Sequence, residues 1–362
     1  MFSPMEFRDL VSGQRRGLGA SVSRCALRVA ECGYTAAVRW RNRRYDRGQT
    51  AIHRLDVPVI SVGNLTLGGT GKTPMVQWIA RWFRQRGVRV AIVSRGYGAD
   101  PDAAAGRAND EALEMQQLLP DVPHLQNPDR LAAAREAIAR HGAQLIVLDD
   151  GFQHRRVARD LNIVLLDALE PFGFGHVFPR GMLREPIEGL RRADVVVLSR
   201  ADQLVGQVKR SRDEIWAIVR AHAPAAVRVE AAHAPRTLVS SSGQETPLAT
   251  IQGQPVAGFC GIGNPAGFRR TLEACGCRLV GFREYPDHHR YTPQDLDQLS
   301  EWSRGLGVAA LVCTGKDLVK VPRDRLGNVP LWALRIEMEL LAGADALESR
   351  LGQICPKEIA GG

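Results

Sequence analysis

The sequence predicts an α/β protein in which an amphipathic helix precedes a parallel-sheet domain and a second, smaller α/β domain. From residue 57 onwards, short runs rich in Val, Ile and Leu alternate with helical patterns, which is typical of strands buried on both faces of a parallel sheet. A polar stretch at residues 233–254 interrupts this alternation before it resumes. The chain of 362 residues is long enough to build two separate cores.

The first 55 residues carry a basic helical pattern, with eleven arginines and four acids that account for most of the net charge of +9. Apolar residues recur at the three- or four-residue spacing of one helical face: Leu18, Val22, Cys25, Val29, Cys32, Ala36 and Trp40. Such a helix suits an anionic membrane surface. Two alternatives stay open: the helix docks on its own domain with a solvated arginine face, or it forms an arm that binds nucleic acid.

The first domain is expected over residues 56–232. Its strands are predicted at 57–62, 88–94, 144–149, 162–167, 194–199 and 226–230, and its helices at 74–86, 110–119, 128–141 and 207–222. Residues 233–254 gather Pro, Ser, Gly and Thr and are predicted to be a linker. The second domain, 255–362, has predicted strands at 255–260, 278–284, 309–314 and 331–336, and helices at 265–275, 293–305 and 344–351.

A glycine-rich segment, residues 63–74 (GNLTLGGTGKTP), joins the first predicted strand to the first predicted helix. A strand, a glycine-rich turn and a helix that opens with Gly-Lys-Thr are typical of a phosphate-binding loop. The first domain is therefore predicted to have a P-loop (Rossmann-like) fold. Lys72 is expected to reach the terminal phosphates and Thr73 to hold magnesium. The strict pattern wants glycine where Thr66 stands, so the loop is a variant; a glycine turn that binds nothing is the alternative. The expected nucleotide contacts are Thr66, Leu67, Gly68, Gly69, Thr70, Gly71, Lys72 and Thr73.

Other polar residues follow predicted strands, where ligands of a parallel sheet bind. Asp149 and Asp150 end a strand and indicate a magnesium site, although a plain turn would also explain them. Asn109 precedes Asp110 at the start of a predicted helix, so capping could explain one acid. The segment 287–289 (Asp-His-His) indicates either metal binding or a proton relay. The loops at 151–156 and 179–186 carry arginines and could equally be solvated connections.

The seven cysteines show no Cys-x-x-Cys pair, which indicates reduced cytoplasmic thiols and no zinc site. We expect no secretory signal, because the first residues lack an apolar core with a small-residue cleavage site. No run of about 18 apolar residues occurs, so a spanning helix is not expected.

Taken together, these motifs resemble the tetraacyldisaccharide 4'-kinases of Gram-negative lipid A synthesis. The resemblance runs over most of the chain and is carried by Gly63–Thr66 with Gly71–Pro74, Ser94–Gly98, Asp149–His154, Arg180-Gly181 with Arg184–Pro186, and Asp287-His288. It implies phosphorylation of the 4'-hydroxyl of a tetraacylated glucosamine disaccharide 1-phosphate, with ATP and Mg²⁺ as cofactors. It also implies a peripheral enzyme at the cytoplasmic face of the inner membrane, contacted through the N-terminal helix. We expect a monomer that binds no nucleic acid.

The resemblance also implies roles for individual residues. Asp110 looks like the catalytic base, His288 like its partner across a cleft, and Lys72 like the third catalytic residue. The acids that organise magnesium, beside Thr73, look like Asp149, Asp150 and Glu185. The implied substrate contacts are Asn64, Arg95, Tyr97, Glu111, Gln153, His154 and Arg184.

Two positions depart from the family pattern. The family usually has Gly-Asp-Glu-Pro where this chain has Asn109-Asp110-Glu111-Ala112, so the turn before the base could differ. It usually has an acid at the position of Gly315, and Lys316 and Asp317 are therefore left without an assigned role.

Three other functions compete with a lipid kinase. A membrane-associated P-loop ATPase would hydrolyse ATP without a small-molecule acceptor, but it leaves Asp110 and His288 unused. A cytosolic kinase of a soluble metabolite does not explain the basic amphipathic helix. A nucleic-acid-binding NTPase would need basic charge beyond residue 55, where the chain is nearly neutral.

Overall fold

A computed structural model describes residues 4–96, 110–204 and 210–356, without the side chains of residues 4, 5, 110 and 111. The chain forms two compact units. The first comprises the chain up to Arg95, Asn127–Ala232 and the segment from Leu340 onwards; the second comprises Gly96, residues 110–126 and His233–Glu339.

The helices of the described chain are α1 (Pro4–Ser12), α2 (Leu18–Asp46), α3 (Lys72–Arg84), α4 (Asp110–Leu118), α5 (Arg130–His141), α6 (Arg212–His222), α7 (Pro265–Ala274), α8 (Pro293–Gly305), the single turn α9 (Gly315–Leu318) and α10 (Ala344–Ile354). The strands are β1 (Val59–Asn64), β2 (Val90–Ser94), β3 (His124–Gln126), β4 (Leu145–Asp149), β5 (Leu161–Asp167), β6 (Val195–Ser199), β7 (Val227–Val239), β8 (Glu245–Pro247), β9 (Pro255–Cys260), β10 (Arg278–Glu284), β11 (Ala310–Thr314), β12 (Arg325–Leu326) and β13 (Val329–Ala342).

In the first unit the strands lie in the order β7-β6-β5-β1-β4-β2, and each neighbouring pair is parallel. All six residues of β1 are buried, as expected for a central strand covered on both faces. Val62 lies opposite Asp149 in the β1–β4 register. The phosphate loop after β1 and the acids at the end of β4 therefore leave the sheet side by side, at its carboxyl edge.

The second unit is built on parallel strands in the order β10-β9-β11-β13. Phe259 on β9 is buried and packs edge to face with Tyr291 and Tyr285, at ring-centroid distances of 5.5 and 6.5 Å. Helix α8 covers this core with Leu296 and Leu299. These contacts hold together the segments that follow β9 and β10.

The predicted domain boundaries differ from these units in three places. Residues 233–254 are not a linker: β7 continues to Val239 and pairs antiparallel with β8, with Thr237 opposite Pro247. Residues 110–126, expected in the first domain, belong to the second unit, and the chain from Leu340 belongs to the first. Helix α6 begins at Arg212, where Ser211 and Glu214 form a capping box; part of the predicted start, 207–209, lies outside the described residues.

Helix α2 points its apolar stripe into solvent. Leu18, Val29 and Trp40 are 89%, 75% and 62% exposed, and every other residue of the predicted stripe is exposed as well. The opposite face of the helix is buried, through Ala20 and Val38. The helix therefore docks on its own unit, as one alternative predicted, but through this face and not through the apolar stripe. Within the described residues, no helix combines the length and apolarity needed to cross a bilayer.

Candidate nucleotide-binding and catalytic site

The phosphate loop ends at a helix whose first turn has no side-chain cap. Gly71, the N-cap of α3, has a left-handed backbone (φ 84°) and makes no side-chain hydrogen bond to the helix. The N–H groups of the first turn are thus left for an anion, which is how phosphates bind at helix N-termini. Lys72 and Thr73 are the first two residues of this helix.

Two neighbouring segments hold the loop in place. The Leu67 N–H donates to the Met182 carbonyl at 2.7 Å, and the Arg184 N–H donates to the Leu65 carbonyl at 2.7 Å. On the other side, the Ser199 hydroxyl donates to the Thr70 carbonyl at 2.8 Å. The loop that would receive the phosphates is therefore fixed by the Ser199 side chain at the end of β6 and by the backbone of residues 182–184.

Ser199 was not predicted from the sequence, and neither was its neighbour Arg200. Arg200 donates to the Gly69 carbonyl at 3.3 Å and is ion-paired with Asp167 at the end of β5. The available signal was positional: Ser199 ends a buried strand and Arg200 follows it, as Asp149 and Asp150 do at the end of β4. Both residues therefore hold the phosphate loop by donating to its backbone carbonyls.

Asp150 forms ion pairs with two basic side chains, Lys72 and Arg184. Lys72 Nζ lies 3.4 Å from one oxygen of Asp150, and Arg184 Nη1 lies 2.8 and 2.7 Å from the two oxygens. Burial by itself raises the pKa of Asp150, but Lys72 and Arg184 outweigh it and lower the pKa to about 2. The carboxylate is therefore ionised at neutral pH and holds Lys72 at the loop, where its ammonium also donates to Asn64 Oδ1 at 3.3 Å.

Asp149 and Arg130 complete this charged cluster. Asp149 is 6% exposed, and Arg130, the first residue of α5, is 5% exposed. Burial lowers the pKa of Arg130, while the nearby charges of Asp150 and Asp149 oppose that shift. Arg130 was not predicted, because nothing in the sequence of α5 separates it from the exposed Arg135 and Arg140.

His154 lies beside the same cluster and is neutral. Burial lowers its pKa to about 4, and the positive charges of Arg130 and Arg159 act in the same direction. A neutral imidazole can donate or accept a hydrogen bond, so His154 suits contact with a hydroxyl better than charge pairing with a phosphate.

Glu185 is enclosed by donors. Its side chain is 1% exposed, and Arg192 Nη2 lies 2.7 and 2.8 Å from its two oxygens. Asn42 of α2 donates to one oxygen at 3.0 Å and Gln153 donates to the other at 3.1 Å. Gln153 also donates to the Asn64 carbonyl at 2.9 Å. The structure thus joins Glu185 to α2 and to the start of the phosphate loop.

The predicted magnesium acids do not form one compact group. Among the residues that the structure describes, no three His, Cys, Asp or Glu side chains lie close enough together to hold a metal ion. Asp149 and Asp150 are adjacent at the end of β4, while Glu185 is occupied by Arg192. Asp150 is likewise paired with Arg184, and the role of all three acids at magnesium stays a prediction.

In the second unit, Asp110 is the first residue of α4 and His288 lies on the turn after β10. Tyr97 and Asn109 lie outside the described residues, as do the side chains of Asp110 and Glu111. His288 has a left-handed backbone (φ 59°), a side chain 60% exposed, and Nε2 3.9 Å from Asp287 Oδ1.

The neighbouring His289 has a different environment. Its Nε2 lies 3.1 Å from Asp295 Oδ2, and its ring stacks on Tyr285 at 4.7 Å. The histidine pair therefore divides into a packed His289 and an accessible His288. The His288 side chain is exposed to solvent, and its role in a proton relay or in metal binding stays a prediction.

The family model and the sequence relatives described here point to the same family. The model of the LpxK family, tetraacyldisaccharide-1-P 4'-kinase, matches residues 23–355. A tetraacyldisaccharide 4'-kinase from Anaeromyxobacter dehalogenans (strain 2CP-C) is 41% identical over 93% of this chain and 92% of the relative. One from Syntrophus aciditrophicus (strain SB) is 38% identical over 87% and 88%.

A solved structure agrees with the sequence relatives. LpxK from Aquifex aeolicus, determined in complex with ATP, superposes with a TM-score of 0.73 at 29% identity, covering 92% of this chain and 99% of that one. The α/β fold with its phosphate loop and N-terminal helix is thereby confirmed, as is the resemblance drawn from the motifs. This chain belongs to the tetraacyldisaccharide 4'-kinase family.

Proposed function

We propose that this protein transfers the γ-phosphate of ATP to the 4'-hydroxyl of a tetraacylated glucosamine disaccharide 1-phosphate at a membrane surface. The observation that carries the proposal is the phosphate loop with Lys72 ion-paired to Asp150, in a chain of the tetraacyldisaccharide 4'-kinase family. A P-loop ATPase without an acceptor is the alternative, and the assay below distinguishes the two.

On the nucleotide side, Lys72 is the residue expected to hold the γ-phosphate. Its ammonium contacts Asp150 and Asn64, and an ammonium has three protons to donate. A third donor therefore remains for a phosphate oxygen without loss of the two contacts that aim the side chain. Phosphoryl transfer passes through a charge-dispersed transition state, so positioned cations such as Lys72 and Arg130 stabilise it electrostatically.

Magnesium fits the residues at the ends of β4 and at the start of α3. Asp149, Asp150 and the Thr73 hydroxyl supply the hard oxygen donors that Mg²⁺ prefers. When bound, the ion neutralises charge on the phosphates. Glu185 is better explained as an anchor: its ion pair with Arg192 and its bonds to Asn42 and Gln153 keep α2 and the phosphate loop together.

On the acceptor side, we assign Asp110 as the base and His288 as its partner. A carboxylate with a pKa near about 4 is a weak base for a sugar hydroxyl. In a loose transition state it only needs to orient the hydroxyl and accept the proton late, and a histidine partner can share that proton. The proposed substrate contacts remain Arg95, Tyr97, Glu111 and His154. Two further proposed contacts also have partners within the protein: Gln153 donates to Glu185, and Arg184 donates to Asp150.

The exposed stripe of α2 is the proposed membrane contact. An apolar helical face bordered by arginines binds an anionic interface by burying apolar area and by charge attraction. The acceptor carries four acyl chains, and each methylene removed from the bilayer costs about 0.8 kcal/mol. Catalysis at the surface avoids that extraction.

The first prediction tests the reaction. In detergent micelles with γ-labelled ATP and the disaccharide 1-phosphate acceptor, wild type should label the lipid. Asp110→Ala should lower turnover roughly 10²–10⁴-fold, the range for general acid–base groups, and Lys72→Ala should lower both rate and nucleotide binding. Asp297→Ala, on the exposed side of α8, is the control and should stay near wild type. Phosphate release without labelled lipid would favour the ATPase.

The second prediction concerns Glu185. Glu185→Gln leaves Arg192 buried without a counter-charge, which should lower the free energy of unfolding by about 3–5 kcal/mol. Glu188→Gln is the matched control: it breaks an exposed pair with Arg39 and should cost about 1 kcal/mol or less. Urea titrations measure both variants. If Glu185→Gln is as stable as wild type but needs more magnesium for activity, Glu185 is a magnesium ligand and not an anchor.

The third prediction concerns α2. Val29→Glu places a charge on the exposed stripe and should weaken sedimentation with anionic phospholipid vesicles at least tenfold, with ATP affinity unchanged. Ala30→Glu introduces the same charge about 100° around the helix, also at an exposed position, and should bind vesicles nearly as well as wild type. Equal loss in both variants would mean that charge, and not the apolar stripe, governs binding.

The fourth prediction follows from the lowered pKa of Asp150. A carboxylate with a folded pKa of about 2 and an ordinary value of 3.8 stabilises the fold fully above pH 5 and progressively less as the pH falls. The stability difference between wild type and Asp150→Asn should therefore shrink by about 1 kcal/mol between pH 5 and pH 3. Urea titrations across that range measure it. A constant difference would mean that Asp150 has an ordinary pKa.

A further inference from the structure

Asp317, in the segment 314–317 (Thr-Gly-Lys-Asp), has no role in the function proposed above, yet its side chain is fully buried. It lies in α9, the single turn that follows β11. A buried carboxylate is unfavourable unless hydrogen bonds and nearby cations compensate for the lost water. Its partners therefore indicate what it is retained to hold.

Those partners come from the ends of neighbouring strands of the second unit. Asp317 Oδ1 accepts from the Gly261 N–H at 3.1 Å and from the Tyr291 hydroxyl at 3.0 Å. Oδ2 accepts from the Thr314 hydroxyl at 2.6 Å, and Lys320 Nζ lies 3.9 Å from Oδ1. One carboxylate thus ties together the segments after β9 and β10 and the start of α9.

The contact with Gly261 reaches His288 through the backbone. Gly261 donates its N–H to Asp317, and its carbonyl accepts the N–H of His288 at 3.1 Å. A Cβ added at Gly261 would lie 3.1 Å from the Pro286 carbonyl oxygen and 3.2 Å from Asp317 Oδ1. The turn that carries His288 is therefore packed closely against the residue that Asp317 holds.

Tyr291 supplies the second connection, three residues after His288. Its hydroxyl is bound by Asp317, and its ring packs against Phe259 and His289 at 5.5 and 5.1 Å. His288 itself has a left-handed backbone, which costs about 1–2 kcal/mol for a residue other than glycine. Such a conformation persists only where its surroundings impose it.

We infer that Asp317 is a positioning residue whose buried carboxylate holds the turn that presents His288 to the acceptor. The inference rests on the role of His288 proposed above. The same short helix also meets α4, which begins with Asp110: Glu114 approaches Gly315 so closely that a Cβ there would collide with its carboxylate. Helix α9 therefore contacts both the helix that begins with Asp110 and the turn that bears His288.

Asp317→Asn tests the inference in the full-length protein. The amide keeps the size of the side chain but removes its charge and replaces one acceptor oxygen with a donor. The charge-assisted bonds from Gly261 and Tyr291 should therefore weaken, and the Thr314 hydroxyl would have to accept where it now donates. We expect kcat to fall about ten- to a hundredfold while KM for ATP stays within about twofold. Asp324→Asn, which loses contacts with Ser241 and Ser242, is the control and should retain kcat.

A double-mutant cycle with His288→Ala separates positioning from a general loss of structure. If Asp317 acts through His288, adding Asp317→Asn to His288→Ala should lower kcat by less than about twofold further. An equal loss in both backgrounds, or no loss in Asp317→Asn alone, would overturn the inference. Full activity of His288→Ala would instead remove the proposed role of His288, and the positioning role with it, while the kinase activity itself would stand.

Tyr291→Phe repeats the cycle with a milder change. It removes one hydrogen bond to Asp317 and keeps the ring, so it serves if Asp317→Asn does not fold. We expect a smaller loss of kcat in the same direction, again absent in the His288→Ala background. In ¹³C-histidine-labelled protein, both variants should shift the His288 ring signal, which His288→Ala identifies by its absence. An unchanged His288 signal in both would contradict positioning.

Discussion

The parallel register around β1 is the constraint on which the site depends. Val62 on β1 lies level with Asp149 on β4 and with Ile163 on β5, so the three strands end at one edge of the sheet. Packing there is tight: a Cβ at Gly63 would lie 2.6 Å from Phe152 Cβ, and one at Gly151 would lie 2.6 Å from Ser61 Oγ. Glycine at both positions lets the phosphate loop and the segment after β4 approach closely, which sets the distance between Lys72 and Asp150.

Within each of the two units, a buried carboxylate joins segments that are far apart in sequence. Glu185 connects Asn42 with Arg192 and Gln153, and Asp317 connects Gly261 with Tyr291. The desolvation of such groups offsets much of their attraction to partners, so their net contribution to stability is small. Removing one partner is costly, however, because the other is left buried without compensation. These residues therefore define geometry more than they add stability, and that is what a phosphoryl-transfer site requires.

The parts of the structure that were predictable from sequence are those encoded locally. Buried parallel strands such as β1 and β4 appear as Val/Ile/Leu runs, and the phosphate loop is one continuous segment. The predicted linker was wrong because a tight hairpin turn has the same Ser- and Gly-rich composition as a linker. In this turn the Ser240 N–H donates to the Gln244 carbonyl, and the Gly243 N–H donates to the Ser240 carbonyl. Pro235 also lies inside β7 and obscured the strand pattern.

The supporting residues could not be predicted because their roles depend on contacts between distant segments. Arg130 differs from the other arginines of α5 only in lying near the charges of Asp149 and Asp150. Ser199 is identified only by its hydrogen bond to the Thr70 carbonyl of the phosphate loop. Glu185 follows an arginine in a polar loop, which in sequence is equally compatible with metal ligation. Its ion pair with Arg192 and its bond to Asn42, 143 residues earlier, became evident only in the fold.

The orientation of α2 follows from the same polar contacts. An exposed apolar stripe is unfavourable in water by roughly 25 cal/mol per Å² relative to burial, so the helix would rotate if nothing held its other face. Glu31, Asn42 and Asp46 hold that face through the Val177 N–H, Glu185 and Arg155. Because Glu185 also binds Gln153, and Gln153 binds the Asn64 carbonyl, the proposed membrane face and the phosphate loop are linked by three consecutive hydrogen bonds. In the proposed function, a helix fixed in this way would keep the nucleotide at a constant height above the bilayer, so that an acylated acceptor could be phosphorylated while its chains stay in the lipid.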